Sequence, residues 1–371
     1  MKRALAALCV IAALCAAFPA KADAAAKTET IPAQAAYLIE ANSGRVLVSQ
    51  NADARLPMAS TTKIMTALLA IESGRLHETV KVPSEAVGTE GSSMYLKAGE
   101  RIPLLDLVYG LMLTSGNDAA VAIAYFLCGG TDAFAAQMNA RAAELGLNNT
   151  HFVNPNGLHD PNHYTTARDL ATLAAAALDN PTFVEIVQTK YRETDGDVSR
   201  KLKNKNRLLW EYEGGIGVKT GYTKAAGKCL VFAAERGGIK AVGVVLNCPS
   251  MWNTAKAMLD AAFQTYRAKT FLAADTVFSV SVENGVKKTL CAVPKRSILY
   301  PTEIDGDETF TVDVALEPTL CAPVEAGQTV GTATLVRNGT AVCTIPIVAR
   351  ESVFPVDFRY YFLKTVSDFS G

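Results

Sequence analysis

A serine and a lysine stand one helical turn apart near the start of the chain, at Ser60 and Lys63. Residues 64–71 continue with mostly apolar side chains at helical spacing, and Gly74 is a natural stop, which predicts a helix buried on nearly all sides. Side chains three residues apart lie on the same face of a helix, so the hydroxyl and the amine are neighbours. A buried lysine with a depressed pKa can take the proton of a serine and make it a nucleophile. A serine before an apolar run is also a common helix N-cap, so the pair alone does not establish catalysis.

Two further polar groups lie at predicted element boundaries. Ser115-Gly116-Asn117 forms a tight break between predicted helices at 104–113 and 119–127, and Asp118 is the predicted N-cap of the second helix. Lys219-Thr220-Gly221 ends a strand-like run, and a glycine there lets another backbone approach closely. Both groups can therefore present side chains to a cleft.

Composition and the N-terminal residues limit the class of protein. The chain has 371 residues with 36 basic and 36 acidic side chains, so its formal net charge is zero and no nucleic-acid partner is expected. Lys2 and Arg3 precede an apolar run and then small residues, which predicts a signal peptide over residues 1–24. Cleavage after Ala22 and after Ala24 fits equally well. We expect an exported protein at the outer face of the cytoplasmic membrane, in the cell wall or in the periplasm, and no later stretch is apolar enough to cross a bilayer.

Cysteines and histidines give no sign of a metal site. The cysteines after residue 24 are Cys128, Cys229, Cys248, Cys291, Cys321 and Cys343. Cys229 and Cys248 lie on adjacent predicted strands and could face each other, although we favour small buried hydrophobes as the role of most of the six at this chain length. No C-x-x-C spacing occurs, and His159 and His163 lie in a loop rich in turn formers. We therefore expect no metal and no cofactor.

The order of predicted elements indicates two folded domains. Predicted hairpins at 36–49 and 228–247 enclose the helices, which suggests one antiparallel sheet built from both ends of an α+β domain. Beyond about residue 270, short alternating runs with Asn284-Gly285 and Asn338-Gly339 as type I′ turn signals predict a separate all-β domain. We expect domains over residues 25–268 and 269–350.

The last segment, residues 351–371, carries aromatic side chains at helical spacing. An amphipathic helix in contact with a membrane surface fits this pattern, and so does a face packed on the chain's own domain. The residues concerned are Phe354, Phe358, Tyr361, Phe362, Val366 and Phe369, with Arg359 and Lys364 nearby.

The three polar groups follow one another along the chain as Ser60-x-x-Lys63, Ser115-Gly116-Asn117 and Lys219-Thr220-Gly221. Together they are a more specific sequence signature than any one of them alone. The chain resembles the serine penicillin-recognising enzymes, whose marks are S-x-x-K, S-x-N and K-T-G. Within them it is similar to the exported D-alanyl-D-alanine carboxypeptidases, the low-molecular-mass penicillin-binding proteins. The resemblance extends over nearly all of the mature chain. It implies an α/β (α+β) catalytic domain of the β-lactamase/DD-peptidase type, with an antiparallel sheet flanked by helices and an all-helical subdomain, followed by a small all-β domain.

The resemblance also implies roles for the residues of the first two groups. Ser60 would be the acyl-ester nucleophile and Lys63 its proton acceptor. Ser115 would relay a proton to the departing amine. Asn117 would hydrogen-bond Lys63 and the amide of the substrate.

The third group would bind the substrate. Lys219 and Thr220 would hold its terminal carboxylate, and Gly221 would let its backbone lie against the strand. The backbone N–H groups of Ser60 and Tyr222 would form the oxyanion hole.

The implied function is removal of the terminal D-Ala from peptidoglycan stem peptides ending in D-Ala-D-Ala, with β-lactam antibiotics as inhibitors. Nascent precursor and cross-linked wall both fit as substrate, and transpeptidation is compatible with the same residues. A class A β-lactamase is a weaker interpretation, because Gly116 stands in the middle of S-x-N and residues 154–164 contain no glutamate. A non-catalytic β-lactam sensor or wall-binding module is opposed by the full set of catalytic side chains.

Overall fold

The first part of the protein is built around an antiparallel sheet. The computed structural model describes residues 31–356. The strands of the first part are β1 (Ala35–Glu40), β2 (Val46–Gln50), β3 (Thr79–Lys81), β4 (Arg101–Pro103), β5 (Tyr191–Glu193), β6 (Lys201–Lys203), β7 (Gly215–Thr223), β8 (Gly227–Arg236) and β9 (Ile239–Leu246). Its helices are α1 (Lys63–Glu72), α2 (Leu104–Tyr109), α3 (Asn117–Cys128), α4 (Thr131–Glu144), α5 (Ala167–Leu178), α6 (Pro181–Gln188), α7 (Leu208–Glu211) and α8 (Met251–Thr265).

The main sheet takes strands from both ends of this part, in the order β2-β1-β9-β8-β7. β1 is antiparallel to both neighbours, with Leu38 opposite Gly243 of β9. Every residue of β1 is buried, because Leu38 packs in a core with α8 while Tyr37 packs in the core that contains α1. A strand covered on both faces is mostly apolar, as β1 is from Ala35 to Ile39. The predicted antiparallel sheet flanked by helices is confirmed.

α1 is the central helix of this part. Every residue from Lys63 to Ile71 is buried, as the apolar pattern predicts. Ser60 lies in a 3₁₀ turn, Ala59–Thr62, that leads into α1, so the regular helix begins at Lys63 rather than before the serine. The two side chains nevertheless remain one turn apart.

The predicted polar break follows a π-helical turn, Gly110–Thr114, that extends α2. The prediction that Asp118 caps the next helix is wrong, because α3 begins at Asn117 and its N-cap is Gly116. The Asp118 carboxylate instead accepts hydrogen bonds from two backbone N–H groups and one hydroxyl of residues 93–96. Three donors from one loop are a stronger set of partners than the helix end alone offers. Asp118 therefore fixes that loop against the start of α3.

The second part is all-β, as predicted. Its strands are β10 (Tyr266–Leu272), β11 (Phe278–Glu283), β12 (Thr289–Pro294), β13 (Ile298–Glu303), β14 (Phe310–Leu316), β15 (Thr319–Cys321), β16 (Thr329–Arg337) and β17 (Thr340–Ala349). Six of them form a sheet in the order β14-β16-β17-β12-β11-β15, and β10 pairs with β13. These strands enclose their own apolar core, separate from the cores of the first part.

The two predicted hairpin turns of this part differ. Asn338 and Gly339 both have positive φ angles, 48° and 77°, and join β16 to β17 as the type I′ signal predicts. At Asn284-Gly285 only Asn284 has a positive φ, and Gly285 instead forms a bridge with Pro355. The type I′ prediction there is wrong because a later segment pairs with the connection.

One arginine joins the two parts. Arg45 follows the turn after β1, and only 4% of its side chain is exposed. Its guanidinium donates to the carbonyl of Pro301 at 2.7 Å and forms ion pairs with Glu308 at 2.8 Å and Glu303 at 3.1 Å. The two Nη groups make these contacts, while the buried Nε has no hydrogen-bond partner among the described residues. The Nη contacts fix the second part against the β1–β2 turn.

All six cysteines after residue 24 are free thiols. Cys229 packs in the core that contains α1, whereas Cys248 packs on the α8 side, so the two do not face each other. The suggested pairing is wrong because the sheet lies between the two thiols. The expectation that most are buried is also wrong, since Cys291 and Cys321 are exposed and Cys128 and Cys343 are half-buried.

Membrane-spanning segments were sought within residues 31–356. No single helix there is long and apolar enough to cross a bilayer, although two sharply bent helix pairs, α3 with α4 and α5 with α6, meet the length and composition criteria together. The predicted signal peptide and most of the predicted amphipathic tail lie outside the described residues.

Candidate active site

Ser60 lies in a tight turn at the entrance to α1. The preceding residue, Ala59, has a left-handed backbone with φ 48°, a conformation that side chains other than glycine seldom adopt. Ser60 itself is half-buried. Strained backbone of this kind occurs where surrounding contacts hold it, and here it presents the serine at the edge of the buried helix.

Lys63 is fully buried and has three polar partners. Its Nζ lies 2.9 Å from Ser60 Oγ, 2.6 Å from Asn117 Oδ1 and 2.6 Å from the carbonyl oxygen of Asn156. The last two atoms accept hydrogen bonds only. A neutral amine has two N–H groups and one lone pair. The two carbonyl oxygens use both N–H groups, which leaves the lone pair facing the hydroxyl of Ser60.

Burial lowers the pKa of Lys63 well below its usual value, because the interior does not solvate a charged ammonium. The positive charge of Lys219 lowers this pKa further, and Lys205 acts in the same direction. The Asp118 carboxylate opposes them, with an effect smaller than that of Lys219. The balance favours the neutral amine, the form that can accept a proton.

The side-chain amide of Asn117 is held at both ends. Its oxygen accepts from Lys63, and its Nδ2 donates to the carbonyl of Glu90. Its backbone N–H donates to the carbonyl of Ser92 at 2.7 Å. The segment before α3 therefore fixes the orientation of the amide, and with it the position of the Lys63 amine.

Ser115 lies at the end of the π-helical turn in a left-handed conformation, with φ 64° and ψ 35°. It is buried, and among residues 31–356 no hydrogen bond joins its hydroxyl to Lys63 or Lys219. Its neighbour Thr114 accepts a hydrogen bond from Lys205 Nζ at 2.8 Å through its carbonyl. Ser115 thus lies near the two buried lysines, and its hydroxyl makes no hydrogen bond to either of them among the described residues.

Lys219 is the second buried lysine, on β7. Its Nζ donates to the carbonyl of Thr220 at 3.0 Å, which is its one hydrogen bond among the described residues. Burial lowers its pKa to about 7, with a smaller contribution from the positive charge of Lys205. This ammonium therefore has free donor capacity, whereas every polar position of Lys63 is occupied.

β7 runs against the turn that contains Ser60. A Cβ atom at Gly221 would lie 3.0 Å from the carbonyl oxygen of Met58 and 3.1 Å from the backbone nitrogen of Ser60. A larger residue here would push the turn away by a few tenths of an ångström, so glycine favours the close approach. Tyr222 follows with 66% of its surface exposed, so its side chain projects away from the turn into solvent.

The loop 154–164 supplies contacts that the sequence motifs do not contain. Asn156 contributes its backbone carbonyl to Lys63, and Gly157, with φ 88°, packs so closely on Ala59 that a Cβ there would lie 2.0 Å from the Ala59 oxygen. A backbone acceptor has no residue-type signature. The turn-rich composition of the loop was the only signal available for it.

His163 stabilises the turn that contains Ser60 through a hydrogen bond with Thr62. Its Nδ1 accepts from the backbone N–H of Val153 at 3.0 Å, so its Nε2–H donates to Thr62 Oγ1, 2.7 Å away. The Thr62 hydroxyl then donates to the carbonyl of Ala59 at 2.9 Å. Burial lowers the pKa of His163 to about 4, so the ring is neutral at physiological pH. From the sequence, this histidine is weighed only as a metal ligand, and its contact with the nucleophile turn is missed.

Comparison with known proteins identifies the family. Residues 21–250 match the family described as D-alanyl-D-alanine carboxypeptidase, and residues 266–354 match the domain described as penicillin-binding protein 5, C-terminal domain. The chain belongs to the D-alanyl-D-alanine carboxypeptidase family. As a member of that family it is a serine peptidase, and its two-part fold is that of a penicillin-binding protein.

The similarity to individual members of the D-alanyl-D-alanine carboxypeptidase family extends over most of the chain. The D-alanyl-D-alanine carboxypeptidase DacF of Bacillus subtilis is 34% identical over 91% of this chain and 90% of its own length. DacC of Escherichia coli is 32% identical over 90% of this chain and 87% of its own. The crystal structure of penicillin binding protein 5 from Haemophilus influenzae superposes with a TM-score of 0.73 at 28% identity, covering 89% of this chain and 99% of that one.

Proposed function

We propose that this enzyme removes the terminal D-Ala from peptidoglycan stem peptides ending in D-Ala-D-Ala through an acyl-enzyme on Ser60, and that penicillin acylates the same serine. The observation that carries the proposal is the environment of Lys63. Two carbonyl oxygens occupy its N–H groups and its lone pair faces Ser60 Oγ at 2.9 Å. A neutral amine in that position is a general base for the serine.

The first step forms the ester. The Ser60 proton passes to Lys63 Nζ while Oγ bonds to the carbonyl carbon of the penultimate D-Ala. The resulting oxyanion would be stabilised by the backbone N–H groups of Ser60 and Tyr222. The C–N bond then breaks, and the departing amine of D-Ala receives, through Ser115, the proton that Lys63 took from Ser60, which leaves Lys63 neutral again. The uncommitted hydroxyl of Ser115 suits this relay.

The second step hydrolyses the ester. A water molecule gives a proton to Lys63 and attacks the ester carbonyl, and the Ser60 oxygen leaves and is reprotonated. The products are the shortened peptide, which ends in a carboxylate, and the free serine. Lys63 returns to its neutral form.

Lys219 and Thr220 are the proposed site for the terminal carboxylate of the substrate. The Lys219 ammonium is buried with one backbone partner, so an incoming carboxylate would fill its free donor positions. Binding a carboxylate at this point restricts the enzyme to peptide ends. Gly221 lets the substrate lie along β7, close to the Ser60 turn.

The proposal places the enzyme outside the cytoplasm, in peptidoglycan maturation and cell-wall biogenesis. The predicted signal peptide at 1–24 and the predicted tail at 351–371 support export followed by peripheral contact with the membrane. We propose catalytic and β-rich domains at 25–268 and 269–350, with the tail beyond them. A soluble form without residues 1–24 is the protein to assay.

The test measures two activities in three proteins. D-Ala release from a pentapeptide ending in D-Ala-D-Ala and covalent labelling by fluorescent penicillin are followed in the wild type, in Ser60→Ala and in Ser73→Ala. Ser73 follows the far end of α1, where it donates to the Ala70 carbonyl and accepts from the backbone N–H of Arg75, so it is a control away from the site. We expect both activities in the wild type and in Ser73→Ala, and neither in Ser60→Ala.

Other outcomes identify the alternatives. Labelling that survives in Ser60→Ala contradicts the nucleophile assignment. Labelling of the wild type without D-Ala release indicates a β-lactam sensor. Rapid turnover of free penicillin indicates a β-lactamase.

A further inference from the structure

Arg200 has no part in the mechanism above, but it binds a loop that packs on the Ser115 turn. It directly precedes β6, and only 11% of its side chain is exposed. Its Nε donates to the carbonyl of Met94 at 2.8 Å, and its Nη2 donates to the carbonyl of Tyr95 at 2.9 Å. The same Nη2 forms an ion pair at 2.9 Å with Glu100, which is itself buried. The guanidinium therefore links the β5–β6 hairpin to the loop 93–96.

Two oppositely charged side chains hold the loop 93–96 from different elements. The Asp118 carboxylate of α3 accepts from the backbone N–H of Met94 at 3.0 Å, while Arg200 donates to the carbonyl of the same residue. Both are charge-assisted hydrogen bonds, which are stronger than those between neutral groups. Tyr95 has a left-handed backbone with φ 61°, and its ring is in solvent. Contacts of its backbone, and not packing of its side chain, therefore maintain this strained conformation.

The side chain of Met94 fills the space beside the Ser115 turn. It is buried, and a Cβ atom at Gly110 would overlap its sulfur. A Cβ atom at Gly116 would lie 3.0 Å from its Cγ. Gly110 begins the π-helical turn and Gly116 follows Ser115, and the N–H of Gly116 donates to the Gly110 carbonyl at 3.2 Å. Met94 therefore packs against both ends of the turn that carries Ser115.

Packing and backbone contacts determine where the Ser115 hydroxyl lies. Among the described residues this hydroxyl has no hydrogen bond to Lys63 or Lys219 that could fix it. Asn117 differs, because its side-chain oxygen also accepts from Lys63 at 2.6 Å. A displacement of Met94 would therefore move Ser115 more than Asn117.

We propose that Arg200 is a positioning residue for the proton relay at Ser115, acting through the loop 93–96. This inference rests on the proposed function, in which Ser115 passes a proton to the departing amine. Without the guanidinium, two carbonyls of the loop lose their donor and Met94 no longer holds the Ser115 turn in place. The relay is then displaced from the leaving nitrogen, while the Ser60–Lys63 pair on the other side of the cleft keeps its geometry.

The test compares two leaving groups in otherwise identical peptides. One peptide ends in D-Ala-D-Ala, and in its thioester analogue sulfur replaces the amide nitrogen of the last residue, so the terminal carboxylate is retained. The amine needs a proton as the C–N bond breaks, whereas a thiol is acidic enough to depart as its anion. A displaced relay should therefore slow the amide and spare the thioester.

The value of kcat/KM is measured for both peptides in the wild type, in Arg200→Ala and in Arg192→Ala. Arg192 lies on the same hairpin and pairs with Asp106 of α2 at 2.9 Å, without a hydrogen bond to the loop 93–96, so it is the matched control. In Arg200→Ala we expect the amide to lose about 30-fold and the thioester less than about threefold, because a misplaced relay forfeits most of what a positioned acid contributes. Arg192→Ala should change both by the same factor.

The ratio of the two rates separates positioning from stability. A smaller fraction of folded enzyme lowers both rates equally, so it leaves the ratio unchanged. Guanidinium chloride below its denaturing range should restore the amide rate of Arg200→Ala, and sodium chloride at equal ionic strength should not. If Arg200→Ala does not fold, Arg200→Lys takes its place, since an ammonium retains the charge but lacks the fork that reaches both carbonyls, and it should show the same selective loss.

Ser115→Ala is the reference for the relay itself. It should show the selective loss of the amide rate, and adding Arg200→Ala to it should change the ratio little, because both substitutions remove one function. Equal losses on the two peptides in Arg200→Ala, or full additivity in the double variant, would overturn the inference and leave the relay assigned to Ser115. Absence of a selective loss in Ser115→Ala would contradict the relay in the proposed function, and the role of Arg200 with it.

Discussion

The two buried lysines of the site come from opposite sides of the cleft and differ in what surrounds them. Lys63, on the helix side, has three polar partners within 2.9 Å, and none of them requires a substrate. Lys219, on the strand side, has one backbone partner. The helix side is thus complete before substrate binds, while the strand side leaves an ammonium free for an anion. Equal burial therefore produces a base on one side and an anion-binding group on the other.

Charge couples the two sides. The positive charge of Lys219 is, after burial, the largest contribution that lowers the pKa of Lys63. Two like charges so close in the interior are unfavourable, so one lysine is neutral when the other is charged. The more fully hydrogen-bonded of the two is the one suited to the neutral form.

Removing the base should have the largest effect in this comparison. In Lys63→Met we expect penicillin acylation to slow by about 10³-fold, the loss that follows removal of a general base. Lys63→Arg should not restore the rate, because a guanidinium stays protonated. Stopped-flow acylation measures both variants. A fast rate in Lys63→Arg would show that neutrality at this position is not required.

Removing the strand-side charge should have a smaller effect. Lys219→Met is expected to lower kcat/KM for D-Ala release about 100-fold, because the terminal carboxylate loses a charge-assisted hydrogen bond. The loss should shrink when the carboxylate of the peptide is replaced by an amide. Lys219→Arg is the conservative control and should retain part of the activity. Equal losses on the acid and the amide peptide would contradict the assignment of Lys219 to the carboxylate.

The pH dependence of kcat/KM separates the two roles. The rate should rise with pH as Lys63 loses its proton, and fall as Lys219 loses its own, with the falling limb near the Lys219 pKa of about 7. Above that limb the rate should drop about tenfold per pH unit. In Lys219→Arg the limb should move to higher pH because the arginine stays charged. A limb that does not move would assign the titration to another group.

Substitutions of His163 test how far acylation depends on the shape of the turn that contains Ser60. His163→Leu leaves Thr62 and the Val153 N–H without their buried partner, and we expect acylation to slow about tenfold through displacement of Ser60. His163→Gln can replace part of both hydrogen bonds and should recover part of the rate. Labelling rates are compared with thermal stability in both variants. Loss of stability with an unchanged rate would restrict the histidine to a structural role.

Substituting Arg45 should leave both sides of the cleft almost unaffected. Arg45→Met breaks the ion pairs with Glu303 and Glu308, and we expect a loss of about 2 kcal/mol in unfolding free energy, less than for a fully buried pair because Glu303 reaches solvent. Hydrolysis of a small peptide should remain within about twofold, since the arginine lies outside the cleft. Calorimetry and D-Ala release measure the two effects. A large loss of activity would mean that the second part shapes the cleft.

Local geometry explains what the sequence could predict. The spacing of Ser60 and Lys63 fixes their proximity whichever helical turn contains them, and the apolar positions around them predict burial directly. The antiparallel sheet follows from hairpin signals at both ends of the first part, and the all-β second part follows from alternation. Each of these depends on residues close together in the chain.

Contacts between distant segments explain what the sequence could not predict. The Asn156 carbonyl, which accepts from Lys63, is a backbone group with no residue-type signature in the sequence. Lys205 lies near the site only because its side chain reaches the carbonyl of Thr114, a residue 91 positions earlier in the chain. Asp118 was expected to cap a helix, but the loop 93–96 supplies better donors. Cys229 and Cys248 lie on opposite sides of the sheet, which a pattern of strands alone does not determine.

The most direct test of the account is to locate the covalent intermediate. Wild-type enzyme is mixed with penicillin, or with a peptide ending in D-Ala-D-Ala, quenched in acid during turnover and digested for mass spectrometry. The account predicts an acyl adduct on the peptide that contains residues 56–63, with fragmentation placing it on Ser60. An adduct on another residue, or D-Ala release at full rate without any adduct, would contradict it.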